Sequence, residues 1–203
     1  MEELKKVDET LSPDERQAFF SVVDTATGSS RPLTLNDLYA SAASITLHDG
    51  VPESIRSHFA AATNLLVYAW FYYPFNVTAR FISMVSIEFA LRVRFGDSLT
   101  PLKRLVKRAV NEGLIKDDGF SHFERASVIG DAVTSEGAPT SNAKRYVDTL
   151  IEVLPRLRND LAHGAHMVHP HSTRSVQVAA DFINQPFPRP NHSEPDGTIR
   201  TQT

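Results

Sequence analysis

The sequence predicts an all-α protein, a helical bundle of four to five core helices with an N-terminal helical extension. Three observations predict it. Apolar residues recur at helical spacing along the long segments, and several of these runs open at serine, threonine or proline and stop at glycine. No stretch alternates apolar and polar residues for long enough to suggest a strand, and no internal repeat is found. At 203 residues the chain is long enough for one substantial core, so a single domain with extensions is expected.

Residues 1–50 form the extension. It carries two short helical patterns, near Pro13–Asp24 and Leu35–Ala43, separated by the turn-rich "TATGSSRP". Ser12 before "PDER" reads as an N-cap, with proline at the first helical position and acids in the first turn. Thr34 before "LNDL" reads as a second start.

The main body, 51–185, begins at "HDGVPES". From Pro52 to about Tyr72 the pattern becomes apolar nearly all round, as in a helix at the centre of a bundle. Its greasiest part, "LLVYAWFYYPF", is about half the span a bilayer helix needs and reads as a buried helix. Pro74 interrupts it. A second long helix is expected from Phe75 to Phe95, closed by Gly96, and a third opens at Thr100-Pro101 and stops at Gly113.

Residues 117–142 are loop-like, and their Phe120, His122 and Phe123 could stack on bases or anchor the loop to the core. A fourth helix is expected from about Asn142 to His163, ended by Gly164; Pro155 either kinks it or starts it anew. Ser172 opens a last helix through Asn184. Residues 186–203, rich in proline and polar side chains, are expected to be disordered.

Composition narrows the function classes. With 41% hydrophobic and 22% charged residues and a formal charge of −3, the chain is not coated in basic surface, although a local patch suffices for nucleic acid. The absence of cysteine removes disulfides, thiolate zinc sites and cysteine nucleophiles, and fits a reducing compartment. "MEELKKVDET" has no apolar signal region, so a cytoplasmic protein without a membrane partner is expected.

Chemistry gathers in "LRNDLAHGAHMVHPH", Leu157–His171. One account is a solvated helix end, with Gly164 as C-cap and His163 favoured by the helix dipole. A second uses His163, His166, His169 and His171 as metal ligands, although their spacing in a segment containing Pro170 fits no standard template. A third is acid–base chemistry on a phosphodiester. A guanidinium forks onto phosphate oxygens and stays charged, while an imidazole titrates near neutrality and moves protons. Arg158 and His163 supply both, and neither a metal nor another cofactor is then required.

Helical phase links a second segment to this one. Glu88 falls about 20° from Val77 on the apolar stripe of the second long helix, where a carboxylate is costly unless a cation meets it. Arg158 continues the Val147–Ile151–Leu154 edge of the fourth helix and is the simplest partner for Glu88; Arg92, one turn beyond Glu88, is the rival. His163 lies about 140° from Arg158, on the face with Asp148, Glu152 and Asn159. The two can converge because arginine is long and the helix is ending, or because a two-fold axis brings a second copy.

From Arg92 to Arg108 six basic residues face one acid, Asp97. Lys103/Lys107 and Arg104/Arg108 are i,i+4 pairs, and they read either as a phosphate-tracking patch or as a solvated helix face.

"RNDLAHG" resembles the R-x4–6-H signature of the HEPN family (higher eukaryotes and prokaryotes nucleotide-binding domains), with Arg158, four residues, then His163. Asn159 matches the polar residue the family often carries after the arginine. The resemblance spans about Pro52 to Asn184. It implies a metal-independent endoribonuclease leaving 2′,3′-cyclic phosphate ends, commonly a homodimer with two motifs in one cleft. Such proteins often act as toxins with an antitoxin protein partner, in phage defence or in RNA processing; other members are silent modules that bind nucleotide, RNA or protein. On this reading Arg158, His163, Asn159 and Glu88 form the catalytic set. Asp160, His166, Arg92, Lys103 and Lys107 would contact RNA.

Overall fold

The computed structural model describes residues 4–121, 145–164 and 172–189. Among them lie six α-helices: α1 (Leu35–Ala43), α2 (Glu53–Tyr68), α3 (Phe75–Phe95), α4 (Leu102–Asn111), α5 (Tyr146–Ala162) and α6 (Ser172–Asn184). Short 3₁₀ turns occupy Val7–Glu9, Glu15–Phe19 and Asp117–Gly119, and a two-stranded sheet pairs β1 (Ser21–Val23) with β2 (Ser30–Pro32). The all-α class holds, with this hairpin as a small addition. No helix among the described residues is long and apolar enough to cross a membrane.

The bundle is built around α3, which contacts α2, α4, α5 and α6. Its residues Ala79, Ser83, Ser86 and Ala90 share one helical stripe and are fully buried, and their small side chains let neighbouring backbones come close. The two hydroxyls would be costly there if unpaired. Each donates to its own helix, Ser83 to the Arg80 carbonyl at 2.7 Å and Ser86 to the Ile82 carbonyl at 2.8 Å. Ile55, Phe59, Ala62 and Leu66 of α2 and Val176, Ala179, Ala180 and Ile183 of α6 complete the core. Leu105 of α4 is fully buried in the same cluster, so truncating it to alanine would cost about 2–5 kcal/mol.

Helix limits follow local chemistry. Gly96, with φ 62°, closes α3 in the left-handed conformation that a β-carbon disfavours. The α2 helix stops at Tyr68, one turn before the expected end; turns then carry the chain to Pro74. The apolar run therefore reads correctly as buried only in part. Leu66 and Ala69 are in the core, but Tyr68 is 54% exposed, and with Phe71, Tyr72 and Phe75 it lines an open hollow. Pro155 does not divide α5, which continues through it. The expected start of that helix, 142–144, lies outside the described residues.

The extension corrects the expectation most. The helix anticipated near Pro13–Asp24 is a 3₁₀ turn followed by a strand, and Asp14 rather than Ser12 caps it, accepting the Arg16 N–H. Asp14 also accepts the Tyr73 N–H at 2.9 Å and pairs with the Arg16 guanidinium at 2.8 Å. Its burial against the α2–α3 corner thus outweighs helical propensity. Burial pushes its carboxyl up, but Arg16 and the two N–H groups prevail and hold it at about 2. The "TATGSSRP" segment contains the hairpin turn and β2, with Val22 opposite Arg31; strands of three residues are too short for alternation to register. The second start is as expected: Thr34 and Asp37 form a capping box on α1.

Phe120 is fully buried, its ring edge-on to Tyr146 at 5.1 Å, so it anchors the loop; His122 and Phe123 lie outside the described residues. Phe187, in the segment expected to be disordered, is buried as well. Residues 190–203 lie outside the described residues.

Candidate functional site

The last third of α3 packs beside the end of α5, and Glu88 lies between them. Only 8% exposed, it places Oε1 2.6 Å from Arg92 Nη2 and Oε2 2.8 Å from Arg158 Nη2. The two partners that compete in the sequence therefore both bind. Arg92 follows Glu88 by one turn and makes a true hydrogen bond. The Arg158 contact is an ion pair by distance but is misaligned as a hydrogen bond. Glu88 Oε2 consequently has no hydrogen-bond partner among the described residues, and neither has the buried Arg158 Nε.

Both guanidiniums have a second restraint. Arg92 Nη1 donates to the carbonyl of Ser98, in the loop before α4. Arg158 Nη1 donates to Asn159 Oδ1 at 3.1 Å. Asn159 thus orients the arginine beside it. The Arg158 side chain is 35% exposed, held through both Nη groups while still reaching solvent.

His163 is the C-cap of α5. Its N–H returns to the Asn159 carbonyl, and Gly164, at φ 86°, ends the helix. The imidazole is exposed and has no side-chain partner among the described residues. Asp160 is also exposed. His166, His169 and His171 lie outside the described residues, so the metal-ligand arrangement does too.

On α4, Lys103 reaches across to Glu152 of α5 at 2.7 Å. Glu152, Asn159 and His163 share one face by helical phase, so Lys103 is joined to the face that carries the imidazole, about 16 Å along the axis from it. Arg108 is engaged locally, 2.7 Å from Glu112 and 4.1 Å over the Phe95 ring. Lys107 is exposed and makes no ion pair among the described residues. The structure thus gathers Glu88, Arg92, Arg158 and Asn159 directly, sets His163 at the helix end five residues beyond Arg158, and places Lys103 on the flank.

Two details escaped the sequence reading. The Ser98 carbonyl as a partner of Arg92 is a loop contact without a side-chain signal. A separate polar hollow of about 450 Å³ is lined by His48, Asp118, Ser121, Asp181 and Arg189 among others. His48, Ser121 and Asp181 are committed to structure. His48 Nδ1 accepts the Gly50 N–H at 3.1 Å and Nε2 lies 2.9 Å from the Asn184 carbonyl, which requires a proton on Nε2. Asp181 accepts from Ser121 and Gln177.

Comparison of the chain with protein-family models, with curated proteins and with solved structures finds no match.

Proposed function

We propose that the protein is an endoribonuclease of HEPN type, with its site around Arg158 and His163. The observation that supports it best is the tethering of Arg158 by the buried Glu88 and by Asn159, five residues before an exposed histidine that caps the same helix. A guanidinium set in place through both Nη groups and still partly open to solvent suits the crowded charge of a phosphorane.

In the reaction, the His163 imidazole removes the proton of a ribose 2′-hydroxyl. That oxygen attacks the adjacent phosphorus, the bond to the 5′-oxygen breaks, and the departing oxygen takes a proton from a second acid. The products are a 2′,3′-cyclic phosphate and a 5′-hydroxyl. Arg158 meets the developing negative charge; Glu88 and Asn159 hold Arg158. Lys103 and Lys107 would attract the RNA backbone, and a homodimer would supply the second imidazole. A toxin role with an antitoxin partner belongs to the same reading.

The test is incubation of the full chain with single-stranded RNA, with and without EDTA. Cleavage that survives EDTA, leaves cyclic phosphate ends and disappears in His163→Ala is the expected result. Cleavage that requires metal, or persists in that variant, overturns the reading.

A second reading rests on a different observation: no neighbour among the described residues fixes the tautomer of His163. A silent module that binds RNA, nucleotide or protein needs no such fixation. Retained RNA binding with intact RNA would favour it.

A further inference from the structure

The polar hollow of about 450 Å³ at the end of α6 has the size that small-molecule ligands occupy. Three segments far apart in the sequence build it: the turn before α2, the turn at 117–121 and the chain that follows α6. Hydrogen bonds fasten each to another. His48 is tied to Asn184 through its backbone N–H and its ring, while the N–H groups of Lys116 and Ser121 donate to Gln185 and Asp181. The buried Phe187 adds an apolar wall. Walls fixed in this way need little rearrangement to receive a guest.

The charges on the lining do not cancel one another. Asp118 and Arg189 are exposed, and neither makes a hydrogen bond or an ion pair among the described residues. Asp181 is held by neutral donors alone, the Ser121 N–H and hydroxyl at 2.9 Å and the Gln177 amide at 2.8 Å. Two carboxylates and one guanidinium therefore share the hollow without pairing.

We propose that the hollow binds a free basic amino acid. Such a molecule carries the reverse set at neutral pH, two cations and one carboxylate. Its carboxylate forks onto Arg189, its two cationic groups meet Asp118 and Asp181, and its methylene stem lies along Phe187. A diamine would set cations against Arg189 with no carboxylate to meet it, and a neutral amino acid would leave one aspartate unmatched. None of the residues assigned to RNA cleavage lines this hollow, so the proposal stands whether or not RNA is cut.

Isothermal titration of the full chain with L-lysine and, separately, with L-arginine tests it. Saturable binding at one site per chain is expected. Cadaverine, L-norleucine and Nα-acetyl-lysine each lack one of the three charges of lysine, and each should bind at least about fivefold more weakly. Asp118→Asn and Arg189→Gln should weaken lysine binding by a similar factor, and Arg189→Gln should also abolish the preference for lysine over cadaverine. Both positions are exposed, and circular dichroism verifies that each variant keeps its fold. No saturation by either amino acid up to about 10 mM, an affinity unchanged in both variants, or a preference over cadaverine that survives Arg189→Gln overturns the proposal. So does Nα-acetyl-lysine binding as tightly as lysine, an outcome that assigns the hollow to the end of a peptide.

Discussion

Glu88 and Arg158, seventy residues apart in the sequence, meet at 2.8 Å across the α3–α5 contact. The pair fastens the end of α5 to the central helix, and the same carboxylate holds Arg92 at 2.6 Å. Removing the acid leaves two cations facing each other in a mostly buried place, whereas removing one arginine leaves the other to balance it.

Glu88→Leu should therefore destabilise the fold by about 3 kcal/mol, near the range for breaking a buried pair. Arg158→Leu should cost less. In a double-mutant cycle measured by urea unfolding, the two substitutions should show a coupling of at least about 1 kcal/mol. Additive effects would mean that the contact contributes nothing specific.

Arg158→Lys retains the charge but removes the planar fork. If the proposed reaction is right, RNA cleavage should fall about 10²-fold, as when one transition-state donor is lost, while RNA affinity changes little. Single-turnover cleavage alongside a binding isotherm separates the two effects.

Asp14 sets a pH dependence. Its carboxyl is held at about 2 in the fold against an ordinary 3.8, so its contribution is fully present above about pH 4 and is lost as the pH falls from there through 2. Near neutrality that difference corresponds to about 2 kcal/mol. Asp14→Asn should lower the urea midpoint at pH 7, and the gap from wild type should close on acidification. A gap that persists to pH 2 would contradict this account.

Gly50 and the chain end should be equally sensitive. A β-carbon at Gly50 would run into the Pro188 carbonyl, so Gly50→Ala must displace the segment that carries the buried Phe187. A loss of about 1–3 kcal/mol is expected from this overpacking, readable as a lower thermal midpoint.

Much of this architecture is legible in the sequence wherever periodicity and punctuation agree. The limits of α3 follow from Pro74 and Gly96, and the start of α1 from Thr34; α6 begins at Ser172 itself. Glu88 is conspicuous because a carboxylate interrupts an apolar stripe. The extension is not legible in the same way. Its structure comes from Asp14 gripping Tyr73 and Arg16, a long-range contact without local pattern, and from strands too short to show a period. The sharing of Glu88 between two arginines is hidden for a related reason: helical phase ranks possible partners but cannot reveal that one carboxylate has room for both. Exposure of Tyr68 is likewise unreadable in a run where almost every neighbour is apolar.

One carboxylate between two guanidiniums is not electroneutral. Glu88, Arg92 and Arg158 together carry a surplus of one positive charge, which the Asp97 carboxylate near Arg92 offsets in part, in a place where screening by salt is reduced. On the proposed reading, the single negative charge of an internucleotide phosphate would cancel what remains.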